Sequence, residues 1–65
     1  MPRFTPYQRA ILNALYVARR ALNTNEIAER TGMAWETARD NLSELYKTGY
    51  VYGRRVGNRI YWWLK

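Results

Sequence analysis

A chain of 65 residues allows one small domain with a thin core, and the absence of both cysteine and histidine removes disulfides, the usual zinc ligands, triad bases and thiol nucleophiles. Net charge is +6, with 11 Lys and Arg against 5 Asp and Glu, the electrostatic footprint of a polyanion binder. With five carboxylates left for acid–base work and too little chain to build a cleft around them, an enzyme is not expected.

Helix 1 is predicted over about residues 5–20. Thr5 supplies a hydroxyl N-cap and Pro6 the favoured first position. Tyr7, Ile11, Ala14, Leu15 and Ala18 then recur at helical spacing, and Leu12 and Tyr16 widen that apolar face. Arg19 and Arg20 are expected in the last turn, where the helix dipole favours cations.

Asn23-Thr24-Asn25-Glu26 has the spacing of a capping box and opens helix 2, about residues 24–31, with Ile27 and Ala28 facing inward. Gly32 suits a left-handed C-cap. Helix 3 is predicted over about 34–48, with Ala38, Leu42 and Leu45 buried and Gly49 as its stop. From Tyr50 the period changes to two. Gly57-Asn58 between β-prone runs predicts a hairpin over about 50–64, with Val56 facing Arg59. In that register Val51, Gly53, Arg55, Ile60, Trp62 and Leu64 share the face that closes over the helices, and Gly53 leaves room for the Trp62 ring.

Charge is uneven along the chain. Residues 1–33 carry Arg3, Arg9, Arg19, Arg20 and Arg30 against Glu26 and Glu29; residues 34–49 carry Arg39 and Lys47 against Glu36, Asp40 and Glu44. The tail carries Arg54, Arg55, Arg59 and Lys65 against no acid, together with half of the aromatic residues.

The order helix, short helix, turn, helix, basic hairpin is that of an α+β, mostly helical, three-helix winged helix-turn-helix with a two-stranded wing, occupying 1–65 as a single domain. The motifs EIAERTGM (26–33), TARDNLSEL (37–45), Gly49-Tyr50-Val51 and Ile60-Tyr61-Trp62 resemble the small winged-helix regulators of the MarR/ArsR kind common in archaea and bacteria. The resemblance implies double-stranded DNA binding and transcriptional regulation. Where that family commonly carries Ser, Thr, Arg, Lys or Gln on the solvent face of the recognition helix, this chain has Trp35, Glu36, Arg39, Asp40 and Ser43, and Ala34 takes the place of the usual cap. Helix 3 is therefore expected to read weakly or shallowly, with the wing and the helix termini supplying most affinity.

Each candidate residue has a plainer alternative. Glu36 is a first-turn acid that interacts with the helix dipole and pairs with Arg39, or it accepts from a cytosine amino group. Asp40 either pairs with a cation elsewhere in the fold or keeps the helix shallow on DNA. Trp35 is expected in the core, the alternative being contact with a sugar or a thymine methyl. Arg39 grips guanine or pairs with Glu36. Thr37, Ser43 and Lys47 complete the DNA-facing set on helix 3, or belong to a solvated face. Arg54, Arg55 and Arg59 with Asn58 at the tip are the phosphate-binding candidates of the wing. Arg54 is also placed to stack on Tyr61. Thr24 and Asn25 hold a phosphate at the start of helix 2, or simply cap it.

Tyr52, Tyr61 and Trp63 form a cross-strand ladder, or one half of a subunit interface alone or with Leu12 and Tyr16. Without an added dimerisation helix such patches would have to serve, and a homodimer on a palindromic site is expected. No cofactor, metal site or small-ligand pocket is indicated, and neither a membrane span nor a signal peptide is found, so the expected location is the cytoplasm, on the nucleoid. Two rivals remain: a protein-interaction module using the acidic helix 3, and an RNA or single-strand binder using the aromatic–arginine hairpin.

Overall fold

Thr5 begins the helical body. Its side chain accepts from the Gln8 backbone N–H at 3.1 Å while the Gln8 side chain accepts from the Thr5 N–H at 3.0 Å. This reciprocal cap, with Pro6 as the first residue, starts α1, Pro6–Ala18. The computed structural model describes residues 3–65 and continues with β1 (Leu22–Asn23), α2 (Thr24–Thr31), α3 (Trp35–Lys47), β2 (Val51–Val56) and β3 (Arg59–Leu64).

Helix α1 is shorter at its C-terminus than its periodicity suggests. Arg19 adopts a left-handed conformation (φ 54°, ψ 27°) and donates its N–H to the Leu15 carbonyl. Arg19 and Arg20 therefore lie beyond the last turn, not within it. Arg20 turns back instead to Glu26, 3.2 Å away, in the first turn of α2. The expected box at Asn23 forms: Asn23 Oδ1 accepts from the Glu26 N–H at 2.8 Å, and Glu26 Oε1 from the Asn23 N–H at 2.9 Å. Gly32 closes α2 in the left-handed conformation.

The hairpin has the register that its two-residue turn implies, running from Val56 opposite Arg59 to Val51 opposite Leu64. Positive φ falls on Gly57 (62°) and not on Asn58, the glycine-first arrangement that matches strand twist. The sheet is wider than a two-stranded wing. Leu22 and Asn23 pair antiparallel with Trp62 and Tyr61, giving the order β1-β3-β2. So β3 is a central strand, and Tyr61 and Trp63 on its outer face are half-buried.

The core is Ile11, Leu15, Leu22, Ile27, Ala28, Ala38, Leu42, Leu45, Val51 and Trp62, with at least one side chain from every element. Burying each large aliphatic side chain stabilises the fold by about 1.5–3 kcal/mol, before the entropy of ordering it is subtracted. Phe4 packs on this cluster and sets its ring edge-on to Tyr50 at 4.9 Å, fastening the N-terminal segment to the start of β2. Tyr7 is exposed, contrary to its place in the helical stripe. Leu12 packs against the core, while Tyr16 and Val17 protrude, exposed by 69% and 66%.

Candidate nucleic-acid interface

Three elements meet at one end of the molecule: the first turn of α2, the first turn of α3 and the tip of the hairpin. Between them lies an open cleft of about 340 Å³ lined by Asn23, Thr24, Asn25, Trp35, Arg39, Arg55, Asn58, Arg59 and Ile60. Seven of these nine were separate candidates along the sequence, and the tertiary fold brings them to one surface. Three are arginines and none is a carboxylate, so the lining presents guanidinium, amide and indole groups together.

The local causes are distinct. The box at Asn23 opens α2 against the sheet, which points Asn25 outward while burying Thr24. The Thr24 hydroxyl is engaged, accepting from the Trp62 indole N–H at 2.9 Å. The Thr24 side chain thus anchors the wing, and a phosphate at this helix start would meet backbone N–H groups. Ala34 provides no side-chain cap for α3, so the first-turn N–H groups of that helix have no such partner and Glu36 stands exposed beside them.

Trp35 was expected in the core and is instead 45% exposed. Leu42 and Leu45 fill the space beneath α3, and the first turn of that helix extends past them. The indole lies under Arg39, whose Cζ is 5.1 Å from the ring centroid. Arg39 does not pair with Glu36. It donates from Nε and Nη2 to Asp40 Oδ1, at 3.1 and 3.0 Å. That contact also answers where Asp40 finds its cation: on the adjacent residue.

The remaining candidates are dispersed. Thr37 and Ser43 are half-buried on α3, and Lys47 is exposed at its far end, away from the cleft. In the wing, Arg55 and Arg59 line the cleft and Arg54 does not. All three are exposed, and among the described residues the ion pairs are Arg20–Glu26 and Arg39–Asp40, so no carboxylate neutralises the wing. Arg55 donates to the Gly57 carbonyl at 3.3 Å, which stiffens the turn. On the outer face Tyr52 and Trp63 pack with centroids 5.6 Å apart, and the cation over Tyr52 is Lys65, at 5.3 Å, in place of the Arg54–Tyr61 stack.

Asn23 is the residue that a sequence reading assigns only to capping and that also lines the cleft. The signal was present in its neighbours: a cap at the start of α2 necessarily stands beside Thr24 and Asn25. Among the described residues no group of acidic side chains is arranged to hold a metal ion, and no helix is long and apolar enough to cross a membrane.

Comparison with known proteins gives a consistent picture. The family model described as winged helix-turn-helix DNA-binding matches residues 4–52. Among solved structures, the PcaV transcriptional regulator of Streptomyces coelicolor, in complex with its natural ligand, is similar at 32% identity and a TM-score of 0.87, over 95% of this chain and 45% of that one. A possible transcriptional regulatory protein of Mycobacterium bovis (fragment 1-100) is similar at 33% identity and a TM-score of 0.81, over 92% and 62%. A solution structure of a homodimeric winged helix-turn-helix DNA-binding domain from Mycobacterium bovis, a possible ArsR-family regulator, is similar at 36% identity and a TM-score of 0.78, over 89% and 52%. The chain thus spans 45% to 62% of the length of these structures. Among curated proteins no sequence matches.

Proposed function

This chain belongs to the winged helix-turn-helix DNA-binding family, and from that premise we propose that it binds double-stranded DNA as a homodimeric transcriptional regulator. The observation that carries the reading is the cleft lined by Arg39, Arg55 and Arg59 with Asn25 and Asn58, in which Arg39 is paired with Asp40 outside the lining and Arg55 and Arg59 are paired with no carboxylate among the described residues. In this arrangement α3 lies against the major groove, Arg55, Arg59 and Asn58 meet the flanking backbone, and Arg54 adds a peripheral charge. Arginines on phosphate supply affinity without sequence information, whereas Arg39 and Trp35 at the head of α3 face the base edges. Thr37 and Ser43 are supporting contacts and Lys47 a further phosphate partner. Glu36, exposed in the first turn, limits how deeply the helix enters.

The homodimer is favoured by two features. The similar Mycobacterium bovis domain is homodimeric, and Tyr16 and Val17 form an apolar projection on α1. A two-fold contact through α1 leaves both clefts free and doubles the positive charge offered to a palindromic site. A cytoplasmic, nucleoid-bound protein follows from this role, and binding, not catalysis, is its activity.

Titrating duplex DNA binding against salt tests the reading. Neutralising three phosphates per protomer predicts log affinity falling against log salt with a slope of about −3 for each protomer engaged. Affinity that is indifferent to salt, or preference for a single strand over the duplex, overturns it.

A further inference from the structure

We propose that Asp40 and Trp35 are positioning residues that make Arg39 a reader of guanine in the major groove. This deepens the duplex-DNA reading above and rests on it. Three observations support it. The Arg39 guanidinium donates from Nε and from Nη2 to one and the same oxygen, Asp40 Oδ1. Its Cζ lies over the Trp35 indole, 5.1 Å from the ring centroid. Arg39 and Trp35 line the cleft with Arg55 and Arg59, whereas Asp40 does not.

The geometry assigns the two edges of the guanidinium to different partners. A guanidinium carries five N–H bonds in a planar fork. Asp40 takes the lateral edge, made of the Nε–H and one Nη2–H. The terminal edge, which is the two Nη1 hydrogens and the other Nη2 hydrogen, is left unused by Asp40. Two parallel donors of this kind match the N7 and O6 acceptors that guanine presents side by side in the major groove. Adenine sets an amino donor where O6 would be, and cytosine and thymine offer no such pair, so a fork held in place discriminates by meeting a donor or nothing.

Holding the fork is what Asp40 and Trp35 do. A free arginine side chain loses rotamer freedom when it binds a base, and a fork already clamped at its edge and resting on an indole loses less. In water each contact is weak, since Arg39 and Asp40 are both exposed. Beneath a duplex the site is desolvated and the same contacts strengthen. The pair is also locally neutral, which reconciles an acid on the exposed face of a recognition helix with a phosphate-rich partner. Asp40 is therefore an aid to readout, not a flaw in it.

The test selects from a pool of duplexes with a randomised central segment, using the whole chain, and then remakes the best duplex with 7-deazaguanine at each selected guanine. That base lacks the N7 acceptor. The wild-type protein is expected to select guanine at one base pair per α3 footprint and to lose roughly tenfold in affinity when N7 is removed. Arg39→Lys and Asp40→Ala are each expected to lower the guanine preference by roughly tenfold or more. Trp35→Leu is expected to lower it by a smaller factor. Asp40→Ala removes the accepting oxygen together with a negative charge, so its affinity for unrelated duplexes holds or rises while its selectivity falls. Asp40→Ala that tightens binding to every duplex alike, with the guanine preference intact, overturns the proposal. A wild-type chain that binds duplex with no guanine preference overturns it too, and leaves the duplex-DNA reading standing. A wild-type chain that binds no duplex overturns both.

Discussion

The Trp62 indole N–H donates to the Thr24 hydroxyl at 2.9 Å, joining two residues 38 positions apart in the chain. Both are buried, and the bond ties the central strand β3 to the first turn of α2 beneath the cleft. Replacing the hydroxyl leaves the indole N–H without a partner in an apolar setting. Thr24→Val, nearly the same size, is expected to destabilise the fold by about 1–3 kcal/mol, and Thr24→Ser by much less. Chemical denaturation of the two variants checks this. Equal losses would mean that the bond contributes nothing beyond packing.

Gly53 lies opposite Trp62, and a Cβ there would stand 2.6 and 2.8 Å from two atoms of the ring. Gly53→Ala is expected to displace the indole from the core at a cost of about 1–3 kcal/mol. Trp62→Leu in the same chain should absorb most of that penalty, so the two changes will not add. A double-mutant cycle by urea unfolding measures the coupling. Strict additivity would place the cause in glycine's backbone freedom instead.

The arginines are not equivalent if the cleft is the binding surface. Arg55 and Arg59 line it, whereas Arg19 lies beside Tyr16 and Trp63 on another part of the molecule. Arg55→Ala or Arg59→Ala is expected to flatten the salt dependence of duplex binding by about 0.9 each, since each variant neutralises one phosphate fewer. Arg19→Ala is expected to leave the slope unchanged. Equal effects at all three positions would point to a diffuse electrostatic attraction with no seated complex.

The Glu26 carboxylate titrates below its ordinary value of 4.5, chiefly because it accepts the Asn23 backbone N–H and also because Arg20 bonds to it. A carboxyl group with a lowered folded-state value adds stability that is complete above the unfolded value. That contribution disappears as pH falls through the folded one. Unfolding free energy is therefore expected to decline as the solution is acidified from about pH 5. Glu26→Gln keeps much of the cap geometry and should flatten that decline, measured by denaturant titration across a pH series. An unchanged pH profile in the variant would assign the acid sensitivity to other carboxylates.

Much of the candidate site was legible in the chain because its parts are local. A capping box is a relation between residues three apart, so Asn23 and Glu26 declare the start of α2 without reference to the rest of the fold. Gly57-Asn58 sets the turn, and the two-residue period then dictates every cross-strand neighbour from Val56 to Val51. The unneutralised arginines of the wing were readable for the same reason, since no acid follows Glu44 in the sequence.

Only the tertiary structure decided which side chains meet across elements. That Leu22 and Asn23 form an edge strand depends on β3 being free to accept them, a pairing between distant parts of the chain that no local period encodes. Helical spacing placed Trp35 on the side of Leu42, but burial depends on what fills the space that a side chain enters, and the indole faces an open cleft. Arg39 had carboxylates on either side, at Glu36 and Asp40, and the choice between them turned on side-chain geometry and on the indole beneath. Spacing along a chain determines direction; what lies in that direction is a property of the assembled fold.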